Sequence, residues 1–216
     1  MKNKRKITLT FIVLELIVYG CLLLVDSEWI AYIKYLGIVL AFIYTFVNYQ
    51  DWSLKPTLYR LTFFFTLVAD FFLLILNKYY YIGVSSFIIV QLLYFNIQNK
   101  EHKHLWKDLS IILRTVIFIA VALVLLNSQY SDMLNVFAAF YFINLVFNFI
   151  DALVLHKQKK ESILLPLGFA LFILCDICVG LYNFLPQGAS LYNLVSFGMW
   201  FFYLPSQVLL SLSSQA

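Results

Sequence analysis

Eight apolar stretches, each about as long as a bilayer is thick, dominate this chain and leave it very few folds. They lie at about 7–25, 30–47, 57–76, 80–98, 109–127, 133–155, 163–183 and 190–212 of 216 residues. A helix needs about 20 apolar residues to cross about 30 Å of hydrocarbon. Every backbone N–H and C=O in lipid must find its partner within the protein, so only helices and closed barrels span it. Runs this long and this continuously apolar predict helices. Residues are 63% hydrophobic and 12% charged, a balance outside the range of soluble domains. The expectation is an all-α, polytopic membrane helix bundle of eight transmembrane helices. It forms one integral-membrane domain over 1–216, placed as a multi-pass protein in the cell membrane.

The basic residues predict the orientation. Of the 15 Lys and Arg, all but Lys34 and Lys78 fall on the side that carries the N-terminus, counting Arg114 just inside the fifth span. By the positive-inside rule both termini are cytoplasmic. The net charge of +4 is therefore a topology signal, and no nucleic-acid partner is expected. Val18-Tyr19-Gly20-Cys21 is similar to a lipoprotein cleavage box, but Tyr19 is bulky for it and the apolar run continues through Val25, so an uncleaved first span is expected. Cys175 and Cys178 sit mid-span, away from any βαβ pattern, and read as small buried residues. His102 and His104 lack further ligands nearby. No metal and no organic cofactor is expected.

Acids inside spans carry the functional signal. Asp70 lies in TFFFTLVADFFLLIL and Asp176 in LGFALFILCDICVGLY, each 13 residues beyond its predicted span start. At about 1.5 Å per residue both sit about 20 Å deep. A carboxylate there costs roughly 2.5–3.5 kcal/mol on insertion scales, which marks both as functional candidates. Asn77 and Asn183 follow seven residues after each Asp, two helical turns on, and should share its face. Short outer loops carry Gly83 and Gly188. The next spans show matching stripes, Phe87, Gln91, Tyr94, Gln98 and Ser196, Trp200, Tyr203, Gln207. These echoes suggest a parallel four-plus-four repeat. Thr62 and Thr66 extend the polar face of Asp70. The sixth span adds Tyr141, Asn144, Asn148 and Asp151 at helical spacing. Asn144 and Asn148 need partners in mid-span, either substrate or neighbouring helices. Asp151 reads as an interfacial, solvated residue. Glu15 must point inward, because an acid on a lipid face is disfavoured.

Five ordered segments resemble the YhhN-like lysoplasmalogenase family of small eight-span membrane proteins. Leu54-Lys55-Pro56 is similar to its Lys-Pro element, and Ala69-Asp70-Phe71-Phe72-Leu73 to its Gly-Asp-x-x-Leu motif. Phe87 through Tyr94 resembles a Phe-x-x-x-His-x-x-Tyr segment, with Gln91 where many members have His. Leu174-Cys175-Asp176 resembles a Ser-Asp element, and Tyr203-Leu204-Pro205-Ser206-Gln207 a Tyr-x-x-Ala-Gln ending. Tyr141 stands where the family often has a tyrosine. The resemblance implies hydrolysis of the vinyl ether bond of a lysoplasmalogen, a lysophospholipid drawn from the bilayer. Asp70 and Asp176 would then be the catalytic carboxyls. Lys55 would meet the phosphate, and Gln91, Tyr94, Tyr141, Asn144, Tyr203 and Gln207 would line the substrate and water. Two alternatives stay open from the residues themselves: a non-catalytic lipid- or partner-binding protein of the same fold, and a small proton-coupled transporter. Pro205 interrupts the eighth span with no counterpart in the fourth, which counts against the transporter.

Overall fold

The computed structural model describes residues 2–24, 29–48, 53–129, 131–159, 162–186 and 189–214. Eight α-helices account for nearly all of them: α1 (Lys2–Leu24), α2 (Ile30–Asn48), α3 (Leu54–Asp70), α4 (Tyr80–Asn99), α5 (His104–Leu126), α6 (Met133–Lys159), α7 (Leu164–Phe184) and α8 (Ser190–Ser213). All eight are long and apolar enough to cross a membrane. They match the eight predicted spans. α3 begins earlier than its apolar run because Leu54-Lys55-Pro56 opens it, with proline in the first turn where its missing N–H costs nothing. α6 runs on to Lys159, its last turn carrying His156, Lys157 and Lys159 against the negative end of the helix dipole.

Helix neighbours form a ring. α2 packs on α3, α3 on α4, α4 on α6, α6 on α7, α7 on α8, and α8 closes back on α2. α1 stands outside the ring against α2 and α8, and α5 outside it chiefly against α6. Each half thus places one helix peripherally and three in the ring, in the same order. That is the arrangement a parallel four-plus-four repeat requires. Gly188, one of the residues that suggested the repeat, lies outside the described residues. The peripheral helices show most of their surface. α5 buries only Ser110 and Arg114, and α1 buries Phe11, Glu15 and Val18 on one face.

The core is aromatic where the ring helices meet. Phe63, Tyr59, Tyr94, Phe169 and Phe172 are among the fully enclosed side chains. α7 and α8 share the most extensive helix contact, and there Gly168 faces Leu210. A Cβ built on Gly168 would lie 2.8 Å from Leu210 Cγ and 3.2 Å from its backbone nitrogen. Small residues at such crossings let backbones approach in lipid, where dispersion replaces the hydrophobic drive. Gly168→Ala is therefore expected to destabilise the bundle by about 1–3 kcal/mol, the usual range for overpacking, read as a lowered thermal midpoint in detergent. On the basic side, Lys159 Nζ donates to Glu101 Oε2 at 2.7 Å, tying the α4–α5 connection to the end of α6. That bond holds the Glu101 carboxyl below its ordinary range.

Candidate functional site

Both intramembrane aspartates are paired with a tyrosine from another helix. Tyr203 Oη, on α8, donates to Asp70 Oδ2 at 2.6 Å. Tyr141 Oη, on α6, donates to Asp176 Oδ2 at 2.6 Å. Both are short hydrogen bonds for a hydroxyl donor. The two pairs sit around one ring: Phe172, one turn before Asp176, lies 5.6 Å from Tyr203 and 6.4 Å from Tyr141 between ring centroids. Phe87, on α4, closes on Tyr141 at 5.5 Å and on Phe172 at 5.8 Å. Tyr141 and Cys175 each lie within electrostatic reach of both aspartates, so the two pairs are neighbours in the bundle. The carboxyls are not equivalent. Asp70 is 3% exposed, whereas Asp176 is only partly buried.

Local backbone irregularity aims these groups. Asp70 closes α3, and Phe71–Ile75 continue as a π-helical turn, with Leu76 N–H bonding Phe71 O at 2.9 Å. Such wider turns shift every later side chain around the axis and recur at functional sites. Asn77 then leaves the helix with φ 47° and accepts a bond from Tyr80 Oη at 2.9 Å. The expected shared face of Asp70 and Asn77 is therefore absent, because the helix between them does not hold a 3.6-residue period. Asn183 is exposed and bonds its own helix at Val179 O. On α8, Pro205 brings no N–H to the helix ladder. Ser206 Oγ donates to Tyr203 O at 2.6 Å beside it, bracing the turn that presents the Tyr203 phenol. Thr62 and Thr66 share the buried face of Asp70, and their hydroxyls bond carbonyls one turn back on α3.

The remaining expected site residues divide between this centre and two other places. Gln207 is buried one turn beyond Tyr203, its amide 3.4 Å from Ser206 Oγ. Tyr94 is enclosed against Tyr59 and Phe169, and its hydroxyl has no hydrogen-bond partner among the described residues. Gln91 is fully buried, and Asn148 Nδ2 donates to its Oε1 at 2.9 Å. Asn144 is engaged elsewhere: its Oδ1 accepts from Arg114 at 3.0 Å and its amide donates to Phe140 O. Lys55 stands exposed at the other end of α3 from Asp70, about 22 Å along the axis. Glu15 points inward as expected, 4% exposed, beside Gly37.

Asp151 requires correction. It is 1% exposed, not solvated. Arg114 forms an ion pair with its Oδ2, Trp106 Nε1 donates to Oδ1 at 2.9 Å, and Ser110 Oγ bonds it at 3.2 Å. Arg114 also reaches Asn148 Oδ1 at 3.0 Å. α6 extends two turns past Asp151, which places it within the bundle wall. The arginine that satisfies it comes from α5. Arg114 is the residue that sequence reasoning passed over. The available signal was an arginine inside one span followed by an acid inside the next, each too costly in lipid to stand alone.

A family model described as the YhhN family matches residues 29–214, which takes in every site residue named above except Glu15. No curated protein and no solved structure matches the chain.

Proposed function

The chain belongs to the YhhN family, and on that premise we propose that it is a cell-membrane hydrolase of lysoplasmalogens. The family is associated with lysoplasmalogenase activity. The observation that carries the reading is the pair of tyrosine-bonded carboxyls, Asp70 and Asp176, around Phe172. Enol ethers hydrolyse by proton delivery to carbon. One carboxyl gives its proton to the outer vinyl carbon, and the double-bond electrons form the new C–H bond. The adjacent carbon becomes an oxocarbenium ion, which the remaining carboxylate stabilises electrostatically. Water adds to that carbon and surrenders a proton to a carboxylate. The hemiacetal hydroxyl then loses its proton to a carboxylate and forms the carbonyl as the bond to the glycerol oxygen breaks, and a carboxyl returns a proton to that oxygen. One water is consumed, and a fatty aldehyde and a glycerophospho-base leave. Tyr203 and Tyr141 hold the carboxyls in place throughout. Phe172 and Phe87 supply an apolar wall for the vinyl group.

The test is aldehyde release by the purified full chain from a vinyl ether lysophospholipid, run beside the saturated-ether analogue. Aldehyde from the first and nothing from the second is expected. A folded protein that releases no aldehyde across several headgroups would overturn the reaction. It would favour the second reading, a non-catalytic lipid-binding member. The observation behind that reading is Gln91, which stands in place of a titratable imidazole and is tied to Asn148.

A further inference from the structure

A second feature near the carboxyls has no role in the acid–base chemistry. Between α1, α2 and α8 lies a cavity of about 120 Å³, lined by Tyr19, Leu22, Ile30, Phe197, Trp200 and one charged side chain, Lys34. The Lys34 ammonium sits 3.7 Å from the centroid of the Trp200 ring. No carboxylate pairs with Lys34 among the described residues. Trp200 in turn packs edge-on against Tyr203 at 5.7 Å, and Tyr203 is the phenol bonded to Asp70. Tyr35 meets Phe71 at 6.4 Å between ring centroids and lies within electrostatic reach of Asp70. A half-buried cation inside a span is expensive and marks a functional position. Here it lies within the first two turns of α2, on the side of the bundle poor in basic residues.

We propose that Lys34, seated on Trp200, is the subsite for the phosphate of a single-chain phospholipid. The lipid would enter sideways between α1 and α8 from the side opposite the termini. This deepens the hydrolase reading above and rests on it for the identity of the lipid. In such a lipid only the glycerol unit separates the phosphate from the vinyl ether oxygen. Two ring contacts, through Trp200 and Tyr203, link Lys34 to the phenol bonded to Asp70, while Lys55 lies about 22 Å along α3 from Asp70. A lysine ammonium is a point charge suited to a phosphate oxygen. The exposed Leu23, Phe197 and Phe201, which line the cavity, offer the alkyl chain an apolar path.

The test measures binding of a saturated alkyl-ether lysophosphoethanolamine to the detergent-solubilised full chain. That probe has no vinyl bond, so binding is read whether or not the protein hydrolyses anything. Lys34→Gln is expected to weaken binding about tenfold or more, the loss of one charge-assisted contact. Lys34→Arg should keep most of it, and Lys55→Gln all of it. A phosphate-free alkylglycerol should bind wild type and Lys34→Gln alike. Thermal midpoints of the variants check that each is folded, and Lys34→Arg carries the test if the glutamine variant is not. Equal lipid binding by wild type and Lys34→Gln would overturn the subsite. So would a loss seen only in Lys55→Gln, or an equal loss for the phosphate-free lipid. Inorganic phosphate that binds as tightly as the lipid would overturn the headgroup assignment in favour of a free anion. Lys34-dependent lipid binding by a protein that releases no aldehyde would overturn the reaction and leave the subsite standing.

Discussion

Exchange of either Asp70 or Asp176 for asparagine is expected to cut aldehyde release by about 10²–10⁴-fold, the range a positioned acid or base contributes. The amide has nearly the shape of the carboxyl and still presents an oxygen to Tyr203 or Tyr141, so the bundle should fold around it. What it loses is the ability to carry a proton and to face a developing cation with negative charge. Because protonation and cation stabilisation belong to one step, the two carboxyls act as a unit. The double variant should therefore fall little further than either single one. Initial rates for the two single variants and the double variant, with thermal midpoints as a folding check, read this directly. Activity within a few-fold of wild type in either single variant would remove that carboxyl from the chemistry.

The second large effect concerns stability. Arg114→Gln should destabilise the protein by about 3–5 kcal/mol, the cost of leaving a buried charge without its partner. Asp151 would remain 1% exposed with only Trp106 and Ser110 to bond it. Asn144 and Asn148 would each lose a guanidinium contact as well. α5 buries little else, so its attachment to α6 rests on this cluster. Removing both charges in Arg114→Met with Asp151→Leu should recover most of the loss, since a buried pair replaced by apolar groups of similar volume is often neutral or better. Reversible unfolding of wild type and these two variants in detergent gives the comparison. A single variant within about 1 kcal/mol of wild type would show that the cluster is not what holds α5, since an arginine that matters here must cost more than an exposed pair does.

That cluster also shows where sequence reading stops. Hydropathy placed Asp151 near the edge of its span and called it solvated, because it measures each residue against its chain neighbours. The partner that changes the answer is 37 residues away on another helix. Asn144 was weighed as a substrate ligand for the same reason, and the guanidinium of Arg114 occupies it. The Asp70–Asn77 face failed on a local detail: a π-helical turn between them alters the period that the argument assumed. Glu15, by contrast, was placed correctly, since the cost of an acid in lipid allows only one direction.

By itself the sequence determined the eight helices, their lengths, the side that gathers the basic residues, and the two carboxyls worth attention. Those follow from apolar length, charge asymmetry and the penalty for charge in hydrocarbon, which are properties of a segment alone. The tertiary structure decided which helices form the ring, that Tyr203 meets Asp70 across 133 residues of chain, and that Tyr141 meets Asp176. It also seated Lys34 on Trp200, which packs against Tyr203, and left Lys55 at the other end of α3 from Asp70. Such meetings depend on how each helix is rotated and which neighbour it packs against. In a bilayer that choice is made by close packing and polar pairing between helices, and neither is written in the hydropathy of any one of them.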